Sequence, residues 1–333
     1  METTIKDVAK LANVSTMTVS RVVNNKGMIA ETTRKKVQDA IRELNYKPNT
    51  IARTLVAQKS RVISIVVPDI INPFFSELIK IADEEVKRLG YTLFASDANW
   101  NAENERDIIN TAIASMTAGI ILVTPRLSDE ELVDFSRKIR LVVVDRDMSE
   151  VGIESVYVDN YYGAFEATSY LISLGHRRIG YIKGWSDVLN SKRREQGYKD
   201  ALLKSGIEFC EELVTGGDYQ EMGGREAFEY FSSLVNPPTA VFASNDLMAY
   251  GFINSCSGNG CSVPKDISVM GFDDIKVFYE HNPRLSTVRH PRGAMILKAV
   301  NILLSQPAEE VERFDQYLHT ELIIRDSVIG VVK

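Results

Sequence analysis

The stretch "VSTMTVSRVVN", residues 14–24, decides how the chain is read. Just before it, "TIKDVAKLA" places Ile5, Val8, Ala9 and Ala12 at helical spacing. Asn13 then stands where a tight turn requires a left-handed residue, a conformation asparagine tolerates. Ser15 offers a helix N-cap, and Val19, Val22 and Val23 give a second helix its inward face. Thr16 and Ser20 are four apart, as are Met17 and Arg21, so all four project from the opposite side. Two short helices meeting at a turn are expected, with a single charge on the outward face. Such a face suits the DNA major groove, where base edges are read by hydrogen bonds and methyl contacts while cations elsewhere meet phosphates. Arg21 can bond a guanine through two nitrogens, and Thr16 and Met17 can touch methyl groups or nearby edges. Taken alone, the same helix also fits the solvated face of a small helical bundle.

Composition separates two kinds of domain. The chain has 333 residues, 44% hydrophobic and 25% charged, enough for more than one globular unit. Its formal charge of -6 hides an asymmetry: residues 1–60 hold eleven Lys/Arg against five Asp/Glu, leaving 28 against 40 for the remainder. A basic head on an acidic body points to a nucleic-acid-binding module joined to something else. Cys210, Cys256 and Cys261 cannot all pair with one another and lie at no metal-ligand spacing, so reduced structural cysteines and no metal site are expected. "METTIKDVAK" has no apolar core, and no run approaches the roughly 18 apolar residues of a membrane span, so a cytoplasmic protein without a membrane partner is expected. GxSxG, HExxH and GxxxxGK are absent, and "SGNGCS" lacks the spacing of a dinucleotide loop; neither an enzyme nor a cofactor is expected.

A third helix fits "TTRKKVQDAIRELNY", where Val37, Ala40, Ile41 and Leu44 close the small core. Pro48 stops it, and "NTIARTLV" follows with Asn49 as cap, a segment too short to be a stable helix on its own. Leu55 and Val56 are its apolar residues, and a leucine there suits a wedge between base steps in the minor groove.

From residue 61 onward, apolar runs alternate with amphipathic stretches: "RVISIVVPD", "YTLFASD", "GIILVTP", "LVVVDR", "SVYVDN", "RIGYIKG", "TAVFASND" and "ISVMGFDD". This alternation predicts parallel sheets covered by helices on both faces. The runs end in Asp69, Asp97, Thr124, Asp145, Asp159, Asn245 and Asp273, and strand carboxyl ends line the ligand crevice of open α/β sheets. Taken singly, each aspartate is also an ordinary helix cap, the pair in "NPFF" ordinary core, and Arg194 an ordinary surface arginine. Together they suit a sugar, which has apolar ring faces and a rim of hydroxyls.

"TIKDVAKLANVSTMTVSRVVN" and "TRKKVQDAIRELNYKPNTIARTL" resemble the headpiece and hinge of the lactose/galactose repressor family of bacterial transcription regulators, most of all its purine-repressor branch. "PDIINPFF", "VVVDR", "RREQGY", "GGDY", "SNDLMAYG", "MGFDD" and "TVRHP" fall in that family's order and spacing. The resemblance implies an all-α helix-turn-helix headpiece at 1–47 and a hinge helix at 48–60, followed by an α/β two-lobed periplasmic-binding-protein-like domain at 61–333. That domain would comprise two doubly wound parallel sheets, one lobe about 61–160 and 292–320, the other about 161–290 and 321–333. DNA contact is implied for Thr16, Met17, Ser20, Arg21, Asn49, Arg53 and Leu55, with Leu55 intercalating and Val56 replacing the purine branch's lysine. The implied effector pocket is Asn72, Phe74, Phe75, Asp145, Arg146, Arg194, Tyr219, Asn245, Asp273 and His290. It is most similar to the ribose-binding type, with Tyr219 in place of phenylalanine and His290 in place of glutamine.

By this resemblance the chain represses transcription from a near-palindromic operator with a central CpG step, under control of a monosaccharide such as ribose or a related pentose. A purine base or sugar phosphate as effector, or a sugar-binding protein without regulation, are the alternatives. Only Lys298 lies in "GAMILKAVNILLSQ", which disfavours a phosphorylated carrier protein as partner, and no leucine heptads follow "ELIIRDSV", so a homodimer is expected.

Overall fold

The computed structural model describes residues 3–23, 27–46, 60–276, 282–305 and 317–331. The chain divides into two units, Met1–Ser60 and Arg61–Lys333.

In the first unit, α1 (Ile5–Ala12), α2 (Thr16–Val23) and α3 (Glu31–Glu43) pack around Val8, Val19 and Val37, all fully buried. Asn13 takes the left-handed conformation, φ 52 and ψ 50, that turns α1 into α2. Ser15 Oγ accepts the Thr18 amide at 3.1 Å and caps α2. Val22 is buried and Val23 half-buried, while Thr16, Met17 and Arg21 are exposed and Ser20 half-buried on the other side.

The second unit carries twelve short strands among the described residues. β1 (Val62–Val67), β2 (Thr92–Asp97), β3 (Gly119–Val123), β4 (Leu141–Val144) and β5 (Ser155–Val158) come first, then β6 (Ile179–Lys183), β7 (Val214–Gly216), β8 (Ala240–Ala243) and β9 (Ser268–Met270). β10 (Thr287–Arg289), β11 (Tyr317–Leu318) and β12 (Glu321–Ile323) follow. One parallel sheet runs β11-β5-β4-β3-β1-β2, a second runs β7-β6-β8-β9, and β10 pairs antiparallel with β12. The helices between them are α4 (Pro73–Arg88), α5 (Ala102–Ala114), α6 (Asp129–Ser136), α7 (Asn160–Ser173), α8 (Leu189–Lys204), α9 (Glu221–Ser233), α10 (Asp246–Gly258) and α11 (Arg292–Leu304).

All eight apolar runs are strands. β3 and β4 are buried at every position, because parallel strands covered by helices on both faces have no solvent side. β2 differs: it pairs only with β1, at the sheet edge, and Phe94 is 58% exposed. The chain crosses between the lobes three times, from β5 to α7, from β10 to α11 and from β11 to β12, since α11 packs on α4, β3, β4 and β5 of the first lobe. Lobes joined by three adjacent crossings move as rigid bodies about a shared hinge. Among the described residues, no helix is long and apolar enough to cross a membrane.

The second lobe owes one helix pair to glycine. A Cβ at Gly224 of α9 would fall on the Met248 carbonyl, and one at Gly251 of α10 on the Glu221 carbonyl. The two helices therefore approach to backbone contact. Gly224→Ala or Gly251→Ala should destabilise this unit by about 1–3 kcal/mol through overpacking, read as a lowered melting temperature in calorimetry. An unchanged melting temperature would mean that the helices separate freely.

Candidate functional site

The carboxyl ends of the two parallel sheets face each other across a cleft. Thr124 ends β3, Asp145 ends β4, Asn245 follows β8 and Asp273 follows β9; all four are buried. Thr124, Asp145 and Asp273 have φ of 47, 65 and 114, and Tyr219, after β7, has φ 63. Left-handed backbone at non-glycine residues costs about 1–3 kcal/mol each and concentrates at functional sites.

Arg194, on α8 and 5% exposed, is the centre of the polar network. Its Nε donates to Asn160 Oδ1 at 2.8 Å and its Nη1 to the Ser244 carbonyl. Nη2 lies 3.6 Å from Asp273 Oδ1 and 3.3 Å from His290 Nε2, and the guanidinium stacks 3.8 Å from the Phe272 ring centroid. Asp145 collects donors from both lobes. Asn160 Nδ2 reaches its Oδ1 at 3.2 Å; Asn190 Nδ2 its Oδ2 at 2.6 Å and its carbonyl at 2.9 Å; and Thr124 Oγ1 its Oδ2 at 3.3 Å. Burial pushes the Asp145 carboxyl up to about 6 and that of Asp273 up to about 7, with Arg194 pulling both back. Arg194 thus acts on both carboxyls, and Arg292 joins it at Asp273. Burial, reinforced by Arg194 and Arg292, holds His290 well below the usual histidine range, so it is neutral.

Aromatic rings wall the cleft. Phe74 and Phe75 open α4 in edge-to-face contact at 5.1 Å, and the helix is capped by Asn72 Oδ1, which accepts the Phe74 amide at 3.0 Å. Trp100 stacks on Tyr219 with centroids 5.4 Å apart. The space enclosed by Asn72, Phe75, Trp100, Asn190, Arg194 and Asp273 is about 30 Å³. Pockets that hold small molecules usually measure roughly 300–1,000 Å³, so the cleft is shut on its own side chains and a ligand enters only as the lobes part. A larger hollow of about 1020 Å³ lies beyond His290, but its Arg284, Arg289, Arg292 and Arg325 are already paired with Asp326, Asp274 and Glu77.

Seven of the ten residues expected in the pocket line this cleft, Asn72, Phe74, Phe75, Arg194, Tyr219, Asn245 and Asp273, and Asp145 stands one bond behind it, accepting from Asn190 of the lining. Arg146 does not line it. Its guanidinium turns away to the carbonyls of Pro125 and Leu127 and to Asp129, so the place the resemblance implied for it in the pocket is not taken. His290 stands behind Arg194 and Asp273 as support, between the Phe74 and Phe272 rings at 5.2 and 5.3 Å. Three of the polar strand ends do not enter the cluster: Asp97 accepts the Ile70 amide, Asp159 caps α7 through Tyr162, and Asp69 holds Gln220 Nε2 at 2.6 Å across the cleft rim. Sequence reasoning missed Asn160, Asn190, Trp100, Trp185 and Val188. The only signal for the tryptophans was their rarity, two in the whole chain, each just past a strand end.

In the first unit, Thr16, Met17 and Arg21 share the exposed face of α2. Asn49, Arg53 and Leu55 lie outside the described residues.

Residues 4–49 match the family described as bacterial regulatory proteins, lacI family, and residues 168–328 the periplasmic binding protein-like domain. The chain is 34% identical to the HTH-type transcriptional repressor CytR of Escherichia coli (strain K12), over 97% of this chain and 96% of the relative. It is 37% identical to the probable HTH-type transcriptional repressor ExuR of Bacillus subtilis (strain 168), over 98% of each. The lac repressor dimer bound to operator and the anti-inducer ONPF superposes with a TM-score of 0.86 at 25% identity, covering 99% of this chain and 100% of that one. The transcriptional regulator CelR in complex with cellobiose does so with a TM-score of 0.69 at 27% identity, covering 98% and 100%. With near-complete coverage at this identity, the chain belongs to the lacI family of bacterial regulatory proteins.

Proposed function

We propose that this protein is a dimeric transcriptional repressor that reads operator DNA with α2 and responds to a monosaccharide unit of the ribose or related pentose type held between its lobes. The observation that carries the effector reading is the buried set of two carboxyls and one guanidinium, with amides from Asn160 and Asn190, at facing strand ends. Adjacent sugar hydroxyls both donate and accept, and so match such a set. A neutral purine base uses few of these groups and would leave the others unsatisfied, at about 1–3 kcal/mol each. The names of similar proteins support both halves: two are transcriptional repressors, one was solved on operator and one with cellobiose.

The mechanism is a population shift. A ligand that binds the two lobes together changes the fraction of closed protein, and a dimer passes that change to paired headpieces on a two-fold operator. Reciprocity requires operator to change effector affinity by the same factor.

Arg21→Ala should cost roughly 1–3 kcal/mol per half-site and relax base preference at one position, while Lys35→Ala should weaken all sequences alike. Selection from a randomised operator library reads both, and an unchanged preference in the Arg21 variant would refute α2 as the reading helix.

Arg194→Ala should keep operator binding but lose the effector response, measured by fluorescence anisotropy of labelled operator against added sugar. A response of normal size would remove Arg194 from the site.

Effector affinity should also rise with pH. Hydroxyl donors stabilise the ionised carboxyls, so Asp145 and Asp273, near 6 and 7 without ligand, titrate lower in the complex and binding releases protons. Between about pH 5 and 8, calorimetry in buffers of differing ionisation heat should show this release, diminished in Asp145→Asn; proton uptake would contradict it.

A further inference from the structure

Both tryptophans of the chain stand at the cleft. Trp100 follows β2 in the first lobe, while Trp185 and Tyr219 follow β6 and β7 in the second. Trp100 and Tyr219 lie face to face, 5.4 Å between centroids and 8° from parallel. Trp185 closes a third side, edge-on to Trp100 at 4.9 Å and to Tyr219 at 6.0 Å. One plate therefore rides on each jaw of the hinge. Widening their spacing to about 7 Å, two contacts of about 3.5 Å, admits one flat ring.

The plates are built in. Trp100 has φ 51, donates its amide to the Pro68 carbonyl at 3.0 Å and accepts Arg126 Nη1 on its own carbonyl at 2.7 Å. A Cβ at Gly184 would fall on the Tyr219 ring, so that glycine makes room for the second plate. Among the described residues, the indole N–H of Trp100 is buried without a partner, and because it lies in the ring plane it is a donor for an acceptor beside the stack. Trp100 and Tyr219 line the same space as Asn190, Arg194 and Asp273, so one molecule can reach both parts.

We infer that the effector is a glycoside: a sugar whose hydroxyls meet Asn190, Arg194 and Asp273, carrying on its anomeric carbon a flat conjugated ring that enters between Trp100 and Tyr219. The inference rests on the sugar reading above. A nucleoside and an aryl glucoside share this chemistry, and ligand comparison separates them.

The test titrates the full-length protein with cytidine, adenosine, phenyl β-D-glucopyranoside, ribose, glucose, cytosine and phenol, by calorimetry and by tryptophan emission. At least one flat-ring glycoside should bind roughly 5- to 150-fold tighter than its bare sugar, the range for stacking one base on an aromatic side chain, and should change the emission. Whether a nucleoside or the phenyl glucoside does so names the source. Trp100→Ala should bring that ratio close to one and Trp100→Phe restore most of it. The ligand series on the unaltered protein decides even where a variant fails to fold. Bare sugars binding as well as their glycosides would overturn the flat-ring site and leave the sugar reading standing. Free base or phenol matching the glycoside, or no binding by any sugar or glycoside, would overturn both.

Discussion

A guanidinium keeps its charge wherever it is placed in a protein, and Arg194 is placed where water hardly reaches. Much of the cleft answers to that charge. Asp273 lies beside it, the Ser244 carbonyl and Asn160 amide oxygen accept from it, Phe272 offers a ring face, and His290 stays neutral next to it. Asn160 is also the first residue of α7, directly after one of the three lobe crossings, and its amide nitrogen reaches Asp145 in the other lobe. The binding network and the hinge are therefore one structure. A ligand that redistributes hydrogen bonds around Asp145 or Arg194 acts on the segment about which the lobes turn.

That network is costly to hold. Thr124, Asp145, Tyr219 and Asp273 all keep left-handed backbone, and two carboxyls are buried around Arg194. The closed cleft offsets part of the cost by packing Phe74, Phe75, Trp100 and Tyr219 against one another and against their neighbours. The Trp100–Tyr219 contact, the one of these that crosses between the lobes, is lost as they part unless something replaces it. A ligand that supplies both hydroxyls and a flat apolar surface replaces both kinds of interaction, which is a physical reason for a polar interior and an aromatic mouth in one cleft.

The headpiece was legible in the sequence because its determinants are local: Asn13 in the left-handed region, Ser15 as cap and valines at helical spacing each act within one turn. The main strands were legible because burial on both faces leaves continuous apolar runs. β7, β11 and β12 were not, since two or three largely half-exposed residues carry no period, and β10, buried at Thr287 and Val288, is too short to show one. The edge position of β2 was hidden for another reason: it depends on which strand it pairs with, and Phe94 reads as core until that pairing is known. At the site, strand ends pointed to Asp145, Asn245 and Asp273. Asn190, which reaches Asp145 over 45 positions of sequence, needed the fold.

Arg146 shows the same limit and adds a step. Asp145 has φ 65, so consecutive side chains diverge, the carboxylate inward and the guanidinium to the loop after β3. There Arg146 donates to the carbonyls of Pro125 and Leu127 while buried Glu105 accepts the amides of Arg126 and Leu127, gripping the loop from both sides. The loop carries Arg126, whose guanidinium meets Asp187 of the other lobe. Asp187 is largely exposed, and such an ion pair is worth about 0–1 kcal/mol. The Asp69–Gln220 bond, to a carboxylate at the rim, adds a contribution of about 1.5–3 kcal/mol. These rim fastenings are weak beside the buried bonds of Asn160 and Asn190 to Asp145, so a ligand that rearranges the buried set outweighs them. Arg146 thus bears on the effector response through the rigidity of the loop that carries the latch, at a distance from the ligand itself.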